Sequence, residues 1–284
     1  MIKLKKNIIT LFAGIIFFLG FQIPYEAENT TSLVERDGDL CDLDNTSFLG
    51  GEELVYQIYY NWKFIWIPAG EVKFTAREID DRYLLSVRGK TFPSYDSFFK
   101  VDDDYYSEVD KETLLPYMFR RDIEQGNYFR YDSIVFDQDK QQLIEYYGKT
   151  KEKAIRNPLE FTTGVCVQDL VSMLYHLRNR DISDVKKGEK FPIHLFFDKD
   201  LYNLELEFKK RSVKKIKDLG KYKVMHIRPK LIAGEVFNDE AHMDIWVSDD
   251  ANRIPLLIQS AVTLGSVKAV LKSHKGLKYE LKEK

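Results

Sequence analysis

The chain has 284 residues with 43 basic and 45 acidic side chains, and its formal net charge at neutral pH is −2. Such a small net charge gives no electrostatic reason to expect a nucleic acid partner. Aromatic residues make up 14% of the chain, a content that suits β-sheets better than helical bundles.

The N-terminus has the parts of a secretion signal. Three lysines among the first six residues precede a mainly apolar run over residues 8–21, and Pro24 and the small Ala27 follow. A basic start, a short apolar run and a small residue near a plausible cleavage position are typical of such signals. Because a membrane-spanning helix needs roughly 20 apolar residues, we interpret residues 1–27 as a removable signal, with an uncleaved membrane anchor as the alternative.

The remaining chain divides into two parts. Removal of residues 1–27 takes away three lysines and one glutamate, which leaves 40 basic and 44 acidic residues and a net charge of −4. Residues 28–47 are polar and acidic without apolar periodicity, which predicts a flexible leader. Residues 48–284 contain no repeat and no linker rich in Gly, Ser or Pro, and therefore predict a single domain. We expect an exported protein of the periplasm or cell envelope with no membrane span after signal removal.

The chain has two cysteines, Cys41 and Cys166. An oxidising compartment would permit a disulfide between them. Cys41, however, lies in the polar leader and Cys166 at the start of a predicted helix, so the pattern favours two unpaired thiols over a bridge. Lipid attachment at Cys41 is not expected, because a lipoprotein cysteine directly follows the apolar run and this one lies some twenty residues later.

From residue 48 onward, apolar and polar residues alternate with the period of two that is typical of β-strands. In the clearest case, Leu204, Leu206 and Phe208 alternate with charged residues. The predicted strands cover residues 54–60, 72–76, 83–87, 128–136, 143–147, 191–197, 204–208, 222–228, 241–247, 255–262 and 267–272. Turn signals separate many of them, at residues 68–70, 125–126, 218–220 and 249–250. About a dozen such strands predict a mainly β fold, a curved antiparallel sheet or partly closed barrel, because an open sheet leaves exposed edges.

One amphipathic helix interrupts the strands. Its apolar residues at helical spacing are Val167, Leu170, Val171, Leu174 and Leu177. This stripe predicts a helix that covers one open face of the sheet, with Thr162 or Thr163 as its N-cap. A short second helix is also considered for residues 94–100.

No motif predicts catalysis or a cofactor, and no catalytic residue is assigned. His226, His242 and Asp244 would converge on a metal site if their strands form a hairpin, but polar side chains on a solvated face are the favoured interpretation.

Residues 102–104 are three aspartates. They do not fit an EF-hand loop, whose sixth position is Gly and twelfth Glu, so we predict a solvated acidic turn there.

Aromatic residues are the most suggestive feature. Trp62, Phe64 and Trp66 alternate along one short segment that also has apolar residues on its other face. Apolar residues on both faces indicate burial on two sides, or one face open to an apolar ligand. Together with Tyr56, these residues are the candidate binding site for a lipid-like ligand in a cavity between the sheet and the helix. A filled core is the alternative.

Short segments in a fixed order carry a family resemblance. They are residues 48–56, Trp62, residues 69–70, 115–116, 124–126 and 168–170, and the stretch 246–255 with its Trp-Val-Ser-Asp-Asp start. Over residues 48–281 the chain resembles the exported bacterial proteins of domain-of-unknown-function family 3108. The resemblance implies an exported β-rich domain without an assigned activity, so it transfers no functional residue.

Three functions are consistent with the sequence. The first is a non-enzymatic binding or carrier protein for an apolar ligand, and the second is a protein-interaction module of the envelope. The third is a hydrolase of envelope polymers that acts through carboxylates brought together by folding. The shape of the interior separates them, because a dry cavity favours binding, a polar cleft with paired carboxylates favours hydrolysis, and a solid core favours a surface role.

Overall fold

The computed structural model describes residues 41, 43–62, 65–95, 97, 100–156, 158–230, 243–261 and 265–284. Within these residues, fourteen antiparallel strands form one sheet, which confirms the predicted mainly β fold. The strands are β1 (Glu53–Trp62), β2 (Ile65–Ile79), β3 (Arg82–Thr91), β4 (Val101–Asp110), β5 (Pro116–Gln125), β6 (Tyr128–Asp137), β7 (Gln142–Gly148), β8 (Pro158–Thr162), β9 (Lys190–Phe197), β10 (Asp200–Ile216), β11 (Gly220–Pro229), β12 (Met243–Ser248), β13 (Pro255–Ala261) and β14 (Ser266–Lys275). The described residues also form the helices α1 (Lys151–Ala154) and α2 (Ser172–Asn179).

The chain enters the sheet at its centre. Strand β1 pairs with β2 on one side and with β14 on the other. Each further strand pairs with its neighbours in sequence, except that β8 and β9 do not pair with each other and form the two edges. The edges approach each other without pairing. Gln168, ahead of α2, donates its backbone N–H to the His194 carbonyl of β9, and the rings of Phe161 in β8 and Phe196 in β9 lie 5.0 Å apart. The sheet is therefore curved and partly closed, as predicted.

Helix α2 covers the inner face of the sheet, but it begins later than the sequence predicts. Thr162 belongs to β8 and does not cap the helix. Instead, the Asp169 carboxylate accepts hydrogen bonds from the backbone N–H groups of Val171 and Ser172, and the Ser172 hydroxyl accepts one from the N–H of Asp169. This reciprocal pair satisfies the free donors of the first turn. In the region of the short second helix suggested for residues 94–100, the described residues form a 3₁₀ turn at Pro93–Tyr95.

Three strands of the structure are not predicted by the sequence. They are β4, β5 and β8, and the first two carry polar side chains on the inner face of the sheet. Asp103 and Ser107 of β4 and Arg121 of β5 are all buried. The three consecutive aspartates therefore lie inside β4, and the prediction of a solvated acidic turn is wrong. In β4 and β5, polar residues occupy some of the inward positions at which a strand prediction looks for apolar residues.

The turn predicted at residues 68–70 is also wrong. These residues lie within β2, opposite a register shift between Ile58 and Tyr59 of β1 that makes Ala69 the extra residue of a β-bulge. Proline is tolerated at bulges because the ladder there needs no N–H from it. Gly70 is required for close approach, since a Cβ on it would lie 2.3 Å from the carbonyl oxygen of Lys90.

Cys41 and Cys166 form a disulfide, so the preference for two unpaired thiols is wrong. The residues that follow Cys41 contact α2 directly. Asn179 at the end of α2 accepts hydrogen bonds from the backbone N–H groups of Thr46 and Ser47, and Phe48 is fully buried. The bridge thus links this segment covalently to the connection ahead of α2, and the cover is attached at both of its ends.

Candidate functional site

A cavity of about 110 Å³ lies between α2 and the inner face of the sheet, and it is partly open to solvent. Strands β1, β2, β3, β12, β13 and β14 line it with Leu54, Tyr56, Ile58, Val72, Phe74, Val87, Met243, Ile245, Pro255, Ile258, Ser260, Val267 and Ala269, and α2 contributes Leu174, Tyr175 and Arg178. Strands that lie far apart in sequence meet here because β1 and β14 are neighbours. Nearly every side chain of the lining is apolar, which is the composition of a pocket for an apolar ligand.

The strand period explains this lining. Leu54, Tyr56 and Ile58 are alternate residues of β1 and are all buried, so they project to the inner face. On the helix, Leu174 and Arg178 are four residues apart and share one face. The cavity exists where α2 stands over the centre of the sheet without filling the space between these two rows.

One wall of the cavity carries a buried ion pair. The guanidinium of Arg178 donates to both carboxylate oxygens of Glu52, at 2.6 and 2.8 Å. Its Nε donates to the carbonyl oxygen of Asn252 at 2.9 Å. Both side chains are almost completely inaccessible to solvent, so the pair is stable only because its hydrogen bonds are satisfied. These contacts fasten α2 to the start of β1 and to the β12–β13 turn.

Two tyrosines of the lining differ in their hydrogen bonds. Burial raises the pKa of Tyr56 and of Tyr175 far above the ordinary value, so both keep a phenolic O–H. The Tyr56 hydroxyl donates to the Pro255 carbonyl oxygen at 2.8 Å. The Tyr175 hydroxyl is buried and has no hydrogen-bond partner among the described residues. A buried hydroxyl normally has a partner, so Tyr175 offers a free donor and acceptor beside an apolar space.

A second, polar cluster occupies the inner face of β4–β7. Arg121 of β5 and Arg130 of β6 both bind the carboxylate of Asp132, and both also bind Asp198 from the β9–β10 turn. Because Asp198 follows the opposite edge strand β9, this network connects β5 and β6 to the other half of the sheet. It is buried at a considerable desolvation cost, which only its mutual pairing offsets.

Two further carboxyl groups lie in the same half of the sheet. Burial raises the pKa of Asp103 to about 7. Burial and then the charge of Asp132 raise the pKa of Glu145 to about 7. Both side chains have at most 1% of their surface exposed, so in this conformation a substrate has no access to them.

The candidate metal ligands form an ion-pair site instead. His226 Nε2 lies 2.6 Å from a carboxylate oxygen of Asp244, and Arg228 donates to the same oxygen at 2.8 Å. The His226 ring also stacks on Trp246. His242 lies outside the described residues. In the part of the chain that the structure describes, no group of His, Cys, Asp and Glu side chains is arranged to hold a metal ion.

The candidate ligand-binding aromatics are distributed differently than expected. Tyr56 lines the cavity. Trp62 ends β1 and Trp66 lies in β2, so the two are on opposite sides of a hairpin turn and not on one strand. Trp66 is half-buried, with the Lys268 ammonium 4.0 Å from its ring centre, and it is not part of the cavity lining. Phe64 and the side chain of Trp62 lie outside the described residues.

Sequence reasoning missed most of the lining. The residues from β12, β13 and β14 read as ordinary alternating strands, and nothing in their order indicates which of them face α2. Leu174 was on the predicted helical stripe, but Tyr175 and Arg178 were not. Arg178 lies four residues after Leu174 and therefore on the same side of a helix, and this spacing was the signal available in the sequence. No helix among the described residues has the length and apolarity needed to cross a membrane.

The fold has a counterpart among solved structures. A β-barrel-like protein of domain-of-unknown-function family DUF1849 from Brucella abortus superimposes with a TM-score of 0.54 at 11% sequence identity, over 82% of this chain and all of that one. A DUF1089 family protein from Pseudomonas aeruginosa aligns over 69% of this chain and 94% of its own at 12% identity, and its TM-score of 0.36 supports no argument. No curated protein matches the sequence. The family model of DUF3108, proteins of unknown function, matches residues 55–272, and the chain therefore belongs to this family.

Proposed function

We propose that the protein is an exported, non-enzymatic binding protein whose cavity takes up the apolar part of a small ligand. The observation that carries this proposal is the nearly continuous apolar lining of the cavity beneath α2. An apolar cavity of about 150 Å³ in another protein stays dry and binds benzene. At about 110 Å³, this one suits a small ring or the end of an acyl chain.

The hydroxyl of Tyr175 favours a ligand that has a polar group beside its apolar part. Because it is buried beside the cavity and has no partner in the part of the chain that the structure describes, a ligand with a hydroxyl, carbonyl or carboxylate near its apolar group would gain a hydrogen bond there. Burying an unpaired hydroxyl costs about 1–3 kcal/mol, and such a ligand would recover part of that cost. An amphiphile such as a medium-chain fatty acid combines both groups.

The other two functions have less support. Asp103 and Glu145 are the carboxyl groups best suited to acid–base chemistry, but they are buried within the sheet. A hydrolase would need them in an open cleft, so binding is the better proposal. A protein-interaction module stays an alternative, and retention of a stable protein partner by a ligand-free protein would support it. Export is proposed because residues 1–27 have the pattern of a secretion signal. The mass of the protein recovered outside the cytoplasm tests it, because the mass shows whether these residues have been removed.

Binding is tested by native mass spectrometry of gently purified protein and by thermal shift with octanoic and decanoic acid. We expect a co-purified amphiphile, or a rise in melting temperature with either acid. Ala269 lines the cavity, so Ala269→Leu should occupy the space and abolish the shift. Ala251→Leu, in the exposed β12–β13 turn, is the matched control and should bind normally. A wild-type protein with neither a bound amphiphile nor a thermal response contradicts the proposal.

The role of Tyr175 is tested by a pair of substitutions that each remove one hydroxyl. Tyr175→Phe removes a hydroxyl that has no partner among the residues described, so it should raise the stability of the ligand-free protein. It should also weaken octanoic acid binding about fivefold, the value of a hydrogen bond of about 1 kcal/mol. Tyr56→Phe removes a hydroxyl that bonds to Pro255 and should lower stability. Equal destabilisation by both substitutions would show that Tyr175 has a partner in solution.

A further inference from the structure

One end of the sheet differs from the other in its exposed side chains. Antiparallel neighbours alternate in direction, so the β1–β2, β5–β6 and β9–β10 turns share one end with the end of β7. The β2–β3, β6–β7, β10–β11 and β12–β13 turns share the opposite end. At that opposite end the turns are acidic and include Asp80, Asp81, Asp139, Asp218, Asp249 and Asp250.

Exposed apolar side chains gather at one corner of the first end, around the β5–β6 turn, the end of β7 and the β9–β10 turn. They are Tyr128, Phe129, Tyr147, Ile155 and Leu201, each between 36% and 56% exposed. The elements that carry these residues are neighbours, because α1 packs against β6 and β7 and the Lys199 ammonium of the β9–β10 turn lies 3.5 Å from the Tyr147 ring centre. Apolar groups in such a cluster mark an interaction surface more often than scattered ones do.

The same corner carries free positive charge. Residues 149–156 contain four cations, Lys149, Lys151, Lys153 and Arg156, against the single carboxylate of Glu152. All four are exposed, and none forms a direct ion pair within the described part of the chain. Most other exposed cations in this half of the sheet do, as Arg88 and Lys90 do with Asp102. We call this set of exposed apolar residues and cations the basic corner.

We propose that the basic corner docks on the surface of an anionic phospholipid bilayer. Tyrosine and phenylalanine rings partition into the interfacial layer of a membrane, and lysine and arginine beside them are attracted to anionic headgroups. A protein partner would have to offer an acidic surface with apolar pockets. A bilayer supplies both properties without shape complementarity, which suits side chains that project from a helix, a strand end and a turn.

The proposal is independent of the cavity, since none of the residues of the basic corner lines it. Loss of ligand binding would therefore leave it standing, and failure of vesicle binding would leave the proposed function standing. If both hold, the protein would bring an amphiphile to, or take it from, a lipid surface.

Co-sedimentation with vesicles tests the proposal. The protein is used as recovered after export, with its N-terminus verified by intact mass, because the apolar residues 8–21 would bind lipid by themselves. Vesicles of phosphatidylglycerol and phosphatidylethanolamine are compared with vesicles of phosphatidylcholine. We expect binding to the anionic vesicles only, and a marked loss of binding as the salt concentration rises, because salt screens exposed charges.

Variants locate the contact. Lys151→Gln/Lys153→Gln removes two cations and should weaken binding about 25-fold, at about fivefold for each cation near an anionic surface. Phe129→Ser/Ile155→Ser removes apolar groups from the same corner and should also reduce binding. The matched control Ile79→Ser/Val213→Ser changes two apolar residues of similar exposure elsewhere and should bind normally.

Three results would overturn the proposal. They are absence of binding to the anionic vesicles, equal binding to both kinds of vesicle at all salt concentrations, and unchanged binding by both corner variants. The substituted side chains are exposed, so the variants should fold, and their circular dichroism verifies this. The salt response of the wild-type protein provides a test that needs no variant.

Discussion

Loss of the Cys41–Cys166 disulfide should lower the free energy of unfolding by about 5 kcal/mol. The cysteines are 125 residues apart in sequence. In the chain-entropy model, a cross-link over a loop of this length removes about 16 cal/mol/K from the unfolded chain, which is about 5 kcal/mol at 25 °C. The folded state should change little, because the hydrogen bonds of Thr46 and Ser47 to Asn179 hold the segment against α2 without the bridge.

Equilibrium unfolding in urea, followed by tryptophan fluorescence, measures this effect. With a slope of about 2.5 kcal/mol/M, the double variant Cys41→Ser/Cys166→Ser should unfold at a urea concentration about 2 M lower than the oxidised protein. Each single variant should match the double variant, since either one removes the cross-link. An unchanged midpoint in the double variant would refute the reasoning. It would mean that the two cysteines are not joined in the folded protein or that the unfolded chain is already compact.

Three further predictions concern the interior. Arg178→Met leaves the buried carboxylate of Glu52 uncompensated and should cost about 3–5 kcal/mol of stability in urea unfolding, most of which Arg178→Met/Glu52→Gln should recover. Burial holds the pKa values of Asp103 and Glu145 at about 7, so the folded protein binds these protons more tightly than the unfolded chain. The free energy of unfolding should therefore fall as the pH rises from about 4 to about 7, and Asp103→Asn/Glu145→Gln should flatten this dependence. Gly70→Ala should lower the melting temperature and cost about 1–3 kcal/mol by overpacking, whereas a neutral result would show that β2 and β3 can separate at that point.

The half of the sheet that has an apolar inner face could be predicted from the sequence. Strands β1, β3 and β10 carry the alternation of apolar and polar residues that a two-sided environment requires, and each was found. The helical stripe around Leu174 identified the cover for the same reason. In β4 and β5 the inward residues include Asp103 and Arg121. Asp103 is bonded to Gln125 of β5, and Arg121 is paired with Asp132 of β6 and Asp198 of the β9–β10 turn. No local pattern contains these partners.

The candidate site was harder to predict than the fold. Tyr56 was found because it lies on a strand of clear period, but its neighbours across the cavity come from strands about 200 residues later in the chain. Their proximity follows from the pairing of β1 with β14. The contact of the leader with α2 could not be predicted from the sequence either. It depends on the side-chain amide of Asn179 and on a disulfide, and not on a pattern of apolar residues.

The pairing of β1 with β14 also determines when the sheet and its cavity can form. Until β14 has been synthesised, β1 presents a bare edge, and the six strands that line the cavity remain two separate groups. Contacts between such distant segments form late, since closing a long loop costs entropy before any contact compensates for it. The cavity therefore comes into existence with the final strand, and a chain that stops short of residue 266 keeps an open strand edge at the point where its ligand would bind.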